Sequence, residues 1–432
     1  MEPGTNPWRV TAAAVLLAAP LGVLVGLAIA FFLWALDQVT TLRFAHPWLL
    51  YCLPVAGVSV SLLYHWFGKA AEAGHNLILD QIHRPGGGVP WRMAPLVLVG
   101  TLATHLCGGS AGREGTAVQM GGSLAGGIAQ LLRLDPRTTR LLLMAGMSAG
   151  FGAVFGTPLA GVLFALEVLF VGRLDYDAVA PCLVAAWIGD GVATACGATH
   201  THYSVTTWAA AAQVNSIFSW DLALVGKTVI AGGAFGAASF LFAWLAHRVR
   251  AILRTRLRHF WMRPLVGGMV VVLLASLLNA NDYLGLGVIP DPHSARPVTI
   301  SSCFQADGAQ PLSWWWKTVF TAVTVGSGFK GGEVTPLFFI GAALGNFLAN
   351  VLNAPVDLFA ALGFVALFAG ATKTPLASTV MAIELFAARS DGALSSGFAI
   401  YAAIACFVSY YASGTASIYA AQRRPNAPQA KW

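Results

Sequence analysis

The sequence predicts an all-α polytopic membrane protein, and three observations carry that prediction. Hydrophobic residues make up 57% of the 432 and charged residues 10%, with a mean hydropathy of +0.69, too apolar for a soluble globular chain of this length. Apolar stretches of about 17 to 25 residues recur along the whole chain, the length a helix needs to cross about 30 Å of hydrocarbon. Two glycine-dense interruptions, one in each half, mark broken helices, because unwound backbone at membrane depth survives only where protein or a polar cavity satisfies it. A helical bundle follows, not a barrel.

Taken in order, apolar helices are expected near 11–38, 47–65, 91–107, 116–132, 138–154, 157–171, 176–195, 218–248, 264–279, 313–325, 335–352, 357–370, 375–387 and 394–411. The first is too long for a signal-peptide core and runs directly into further spans, so it reads as a retained helix. Several of the others are too short to span, which again points to interrupted helices. No soluble regulatory domain is expected.

The formal charge of +7 does not point to nucleic acid, since the basic residues gather at helix ends, chiefly Arg248, Arg250, Arg254, Arg256, Arg258 and Arg263. The positive-inside rule places that cluster, with Lys69, Arg84, Arg92, Arg423 and Arg424, in the cytoplasm and the Lys- and Arg-free loop 197–219 outside, with both termini inside. Cys52, Cys107, Cys182, Cys196, Cys303 and Cys406 have no metal or redox spacing and read as small packing residues. No cofactor or metal is expected.

The most informative feature is internal. Gly112-Arg113-Glu114-Gly115-Thr116 aligns with Gly331-Gly332-Glu333-Val334-Thr335, and Gly122 with Gly341 and Gly126 with Gly345, at an offset of 219. After a two-residue adjustment, Thr157-Pro158-Leu159-Ala160 and Glu167 match Thr374-Pro375-Leu376-Ala377 and Glu384. Paired Gly-interrupted hydrophobic segments are the sequence signature of transporter repeats, commonly inverted, with the binding site at their interface. The chain is therefore divided into repeats 1–213 and 214–432, together forming one transport domain.

Thr116 and Thr335 follow glycine breaks, where a new helix leaves its first N–H groups unpartnered and its dipole positive. Two such ends meeting at the midplane could replace part of an anion's hydration shell. Glu114 and Glu333 sit at these starts. An intramembrane carboxylate is a functional candidate by default, with helix capping as the alternative. One at an anion site can occupy it when charged and vacate it when protonated, coupling anion and proton movement. Glu167 and Glu384, late in the paired Thr-Pro helices, are expected to serve packing or hydrogen bonding.

These residues resemble the CLC family. Gly112-Arg113-Glu114-Gly115 resembles its gating-glutamate motif, and Gly332-Glu333-Val334-Thr335-Pro336 stands where the family carries Gly-x-Phe-x-Pro. The departures are similar to its fluoride-selective branch: Gly74-His75-Asn76-Leu77-Ile78 in place of Gly-Ser-Gly-Ile-Pro, Thr116 in place of proline, Glu333 in the second motif, and Val168 where chloride antiporters place an internal proton-transfer glutamate. The resemblance implies the inverted-repeat CLC fold in a cell membrane, a homodimer with one pathway per subunit, and export of fluoride against protons. It further implies Glu114 as the protonatable gate, Tyr411 (or Tyr410) as the hydroxyl on the inner side of the site, and Glu333, Val334 and Thr335 along the fluoride path. Gly115 and Thr116 would line the site at the first helix start, and His75 or Asn76 would contribute near the missing serine. A chloride/proton antiporter or passive chloride channel is the alternative.

Weaker signals read more simply. Gly146-Met147-Ser148-Ala149-Gly150 fits a nucleophile motif but lies inside an apolar helix rather than on a strand-to-helix elbow, which disfavours a membrane enzyme. His200-Thr201-His202 lacks a supporting acid or cysteine and reads as a solvated loop. Lys330, beside the second break, either steers anions or snorkels to an interface.

Overall fold

The computed structural model describes residues 7–84, 88–201, 203–205, 208, 221–279, 281–294, 296–387 and 395–423. The expected boundary near 213, His202 and Arg424 lie outside them. The described residues form fifteen α-helices and no strand. Six helical segments are long and apolar enough to cross a membrane by length and composition.

The first helix, α1 (Pro7–Ala45), is longer than expected and carries Pro20 inside it. It belongs to the bundle, since Gly22 and Gly26 lie against the backbone of Ala185 and Gly189. A 3-10 turn at Pro47–Cys52 leads into α2 (Leu53–Phe67). Next comes α3 (His75–His83), which hydropathy does not reveal because it is nine residues long and largely polar. The first half continues with α4 (Met93–Leu106), α5 (Glu114–Leu131), α6 (Pro136–Phe155), α7 (Pro158–Glu167) and α8 (Val179–Ala195). The second contains α9 (Leu222–Arg256), α10 (Met262–Leu278), α11 (Ser313–Gly326), α12 (Val334–Leu352), α13 (Val356–Thr372), α14 (Pro375–Ala382) and α15 (Ser395–Ala412).

Local chemistry sets the boundaries. Asp135 caps α6 by accepting from the amides of Arg137 and Thr138 at 3.0 and 3.1 Å, and Gly156, at φ +70°, ends that helix. Asp221 caps α9, whose far end carries Arg254 and Arg256 against the negative end of its dipole. In α7 and α14 proline occupies the first turn, where its missing N–H removes no intrahelical bond. After α14 the chain makes a π turn at Ile383–Ala387, and this turn carries Glu384.

The core lies along α6 and α13. Every residue of α13 after Val356 is buried, as is α6 from Leu141 onward. Each packs on its glycine-started neighbour with backbones nearly touching. A Cβ on Gly121 would stand 2.0 Å from the Gly146 carbonyl oxygen, and one on Gly341 2.0 Å from that of Gly363. Small residues here permit the close approach from which membrane helices gain most of their packing energy. Glu167 and Glu384 cap across the halves. Glu167 accepts from Leu376 N and Ala377 N at 3.1 and 2.9 Å, and Glu384 from Leu159 N and Ala160 N at 3.0 and 2.8 Å. The carboxylate of each Thr-Pro helix region thus meets the open amides of the other's first turn.

Candidate functional site

The two glycine breaks meet. Gly112 and Gly332 exchange both backbone hydrogen bonds, each at 2.6 Å, as an isolated antiparallel bridge. That exchange sets the starts of α5 and α12 side by side, with Gly115 backed directly onto Gly332.

Glu114 opens α5 and is 1% exposed. Its carboxylate does not cap its own helix but crosses to the other half. Thr335 N donates to Oε2 at 3.0 Å, and Thr335 Oγ1 lies 2.5 Å from Oε1 and 2.6 Å from Oε2. Arg113 N donates to Oε2 at 3.1 Å, and Arg113 Nε stands 3.5 Å from Oε1. One buried carboxylate therefore collects the amide and hydroxyl of Thr335 and the amide of Arg113, with the Arg113 guanidinium beside it. On one side of this carboxylate lies a cavity of about 330 Å³, bounded by Arg113, Glu114, Thr335, His200 and Tyr203 and walled by phenylalanines. Among these, Phe338 stacks on Phe364 at 3.9 Å. His200 is thus part of the cavity wall, 3.9 Å from Asp190, rather than a solvated loop residue.

The remaining sequence candidates divide. Thr335 and Val334 are buried at the start of α12. Thr116 is fully buried, but its hydroxyl pairs with Thr101 Oγ1 at 2.7 Å and faces α4. Glu333 is half-buried at the cap position of α12, makes no capping bond, and lies in the field of His247 and Arg250 on α9. His75, the first residue of α3, is buried with neither ring nitrogen hydrogen-bonded. Asn76 Oδ1 accepts from Ala421 N at 3.0 Å, so its carbonyl anchors the C-terminal segment. Lys330 rests its ammonium 4.0 Å over the Tyr64 ring. Ser148 lies inside α6, as expected, and donates to the Cys182 carbonyl.

The tyrosine expected from the sequence needs correction. Tyr411 is 74% exposed on α15, and the Tyr410 ring packs beside the Lys373 ammonium, which lies 5.4 Å from the ring centroid. Beyond α15 the chain folds back instead. Ile418 N donates to Ala371 O, Gln422 Nε2 to Thr372 O, and Arg423 N to Leu169 O. This return buries Tyr419, stacks it on His75 with ring centroids 4.4 Å apart, and sets it within electrostatic range of both Glu114 and Glu333. The sequence signal was the small-residue run Ser413-Gly414-Thr415-Ala416-Ser417, which stops the helix just before Tyr419.

Comparison with known proteins agrees with this architecture. The chain is 47% identical over 413 residues to the "Chloride/fluoride channel protein" of Pseudomonas syringae pv. tomato, covering 94% of this chain and 85% of the relative. It is 27% identical to the "H(+)/Cl(-) exchange transporter ClcA" of Yersinia pseudotuberculosis, over 86% of this chain and 80% of that protein. A crystal structure of a CLC-type fluoride/proton antiporter superposes with a TM-score of 0.87 at 33% identity, covering 98% of this chain and all of the other. A slow cyanobacterial Cl−/H+ antiporter shares the fold, with a TM-score of 0.71 at 20% identity over 96% of this chain and 97% of that one. The model of the voltage gated chloride channel family matches residues 56–414. The chain, a polytopic membrane protein of the CLC fold, belongs to the voltage gated chloride channel (CLC) family.

Proposed function

We propose that the protein exchanges fluoride for protons across the cell membrane, exporting fluoride, with Glu114 as the protonatable gate. The observation that carries this reading is the Glu114 carboxylate seated on Thr335 N and Oγ1 at the start of the opposite helix. An anion arriving there must displace it. A charged carboxylate competes with fluoride for the same donors; a protonated one loses most of its hold and leaves, so the proton and the anion take turns. Fluoride is small and firmly hydrated, and a threonine hydroxyl beside free helix amides offers it donors in place of water. Thr335, Val334 and Glu333 line the path in this reading, with Gly115 permitting the close approach of the two starts. His75 and Tyr419 form its continuation on the side away from the cavity. Thr116 contributes backbone only, and Tyr411 takes no part.

The chain divides into two repeats near residue 213, as the reciprocal Glu167 and Glu384 caps suggest, and two copies assemble as a homodimer with one pathway each. The chemistry is binding and passage without covalent turnover. The fluoride reading is supported by the similarity to the fluoride/proton antiporter and by Val168 following Glu167. A passive chloride or fluoride channel is the second reading, favoured by the name of the Pseudomonas relative.

Proteoliposomes given outward fluoride or chloride gradients in turn separate these readings when anion efflux and uphill proton uptake are followed together. Fluoride-driven proton uptake, weak with chloride and abolished in Glu114→Gln, is the expected result. Uptake driven equally by chloride would make it an ordinary CLC exchanger, and anion flux without proton movement would make it a channel. Coupled transport unchanged in Glu114→Gln would remove that residue from the gate.

A further inference from the structure

A second cavity takes no part in the pathway described above. It lies between the ends of α1 and α4 and residues 281–291 and 298, partly open to solvent. Its walls are mostly apolar, from Phe44, Leu284, Leu286, Ile289 and Val298, but three charged residues, Arg43, Asp282 and Asp291, line it. Arg43 is 8% exposed, its Nε has no hydrogen-bond partner, and among the described residues no carboxylate lies within 4.0 Å of it. The guanidinium lies against Gly108, whose φ is +75° and where a Cβ would stand 2.9 Å from Nε, so this position of the arginine depends on a glycine. Asp282 also lines the cavity; Ser294 Oγ donates to its Oδ2 at 3.3 Å, the backbone of Val298 acts on the same carboxylate, and Oδ1 is buried with no hydrogen bond within 3.5 Å. Asp291 lines it too, 8% exposed and in the field of Arg43, its Oδ1 held by His293 N at 2.8 Å. His105 turns its ring nitrogens toward backbone carbonyls, Nδ1 lying 2.8 Å from Thr101 O and Nε2 3.1 Å from Ala111 O, with the neutral ring donating to one of them.

A buried donor and a buried acceptor, each unpartnered and facing one apolar space, define their complement. A simple anion on Arg43 would face two carboxylates, a simple cation on Asp282 would leave Arg43 Nε unpartnered, and an apolar molecule would leave both polar atoms unsatisfied. We infer that this cavity is a binding site for a small neutral α-amino acid, its carboxylate on Arg43, its ammonium on Asp282 and its side chain against the apolar wall. The site is separate from the proposed transport path and stands whether or not fluoride is the substrate.

The test is equilibrium binding to the purified full chain in detergent, read by calorimetry and by thermal unfolding, with glycine, alanine and leucine as probes and acetate and methylammonium as controls. Saturable binding of alanine or leucine, tightest for leucine and absent for both controls, is expected. Arg43→Gln and Asp282→Asn should each weaken it by about ten- to a hundredfold, the loss of one charge-assisted hydrogen bond. Size-exclusion profile and unfolding temperature without ligand check that these variants are folded. Where Arg43→Gln does not fold, Arg43→Lys replaces it and should weaken binding by losing the planar fork while keeping the charge. Binding of acetate as tight as that of alanine, binding unaltered in folded variants, or no binding by any probe, meaning that water alone fills the cavity, would each overturn the proposal.

Discussion

In the proposed mechanism, replacing Thr335 by valine separates the gate from the ion path. The substitution keeps shape and removes one hydroxyl from a site where Thr335 is 3% and Glu114 1% exposed. The hydroxyl donates to the carboxylate at 2.5 to 2.6 Å, while Thr335 N at 3.0 Å, Arg113 N at 3.1 Å and the Arg113 guanidinium remain. One hydrogen bond to a charged group contributes about 1.5–3 kcal/mol. Its loss should therefore shift the balance between seated and displaced carboxylate by about ten- to a hundredfold toward displacement. A gate that leaves its seat without first taking a proton lets anions slip through. Thr335→Val should accordingly raise fluoride efflux from proteoliposomes and lower the number of protons moved per fluoride, whereas Thr335→Ser, which retains the hydroxyl, should stay near wild type. Simultaneous fluoride-electrode and pH recordings on the same vesicles give that ratio directly. A fall in flux at an unchanged proton-to-fluoride ratio would refute the reasoning, because the hydroxyl would then serve the ion and not the closed gate.

The other predictions follow from the same contacts. Glu333→Gln should lower fluoride flux, as the half-buried carboxylate before α12 faces His247 and Arg250 rather than capping its helix; wild-type flux would leave it a structural role. Tyr419→Phe should alter transport while Tyr411→Phe should not, since Tyr419 is packed on His75 and Tyr411 is 74% exposed; the reverse pattern, in the same flux assay, would reinstate Tyr411. Glu167→Gln should lower stability by about 1.5–3 kcal/mol by weakening two charge-assisted caps at the start of α14, with the coupling ratio retained. A lower unfolding temperature in detergent checks this, and an unchanged temperature with lost coupling would move Glu167 into the proton route.

The helical membrane class, the broken helices and the pairing of the two halves were legible in the sequence because each rests on local or periodic properties. Hydropathy reports burial in lipid, glycine density reports unwound backbone, and the near-constant offset reports which helix starts correspond. The positions of Glu114, Glu333 and Thr335 beside helix starts came from the same source, since they sit next to the glycines that end one helix and free the next. Short α3 escaped detection because its nine residues include five polar ones and form no apolar stretch long enough to register as a membrane helix.

What tertiary structure decided was which groups meet. The Glu114 carboxylate turns away from its own helix and takes the amide of Thr335, 221 residues along the chain. Thr116, beside it in sequence, instead faces Thr101. Asn76 holds the returning C-terminal segment, and that segment brings Tyr419 to His75 while the tyrosines of α15 face elsewhere. None of this is encoded locally. A carboxylate finds its partner through the packing of both halves, and a residue beyond the last helix reaches the site only because carbonyls near the end of α13 and beyond α7 accept the amides of the returning chain. The sequence by itself determined where helices break and which residue types stand at the breaks, whereas the packed bundle alone determined where their donors point, because hydrogen bonds between distant segments exist only once the segments are held together.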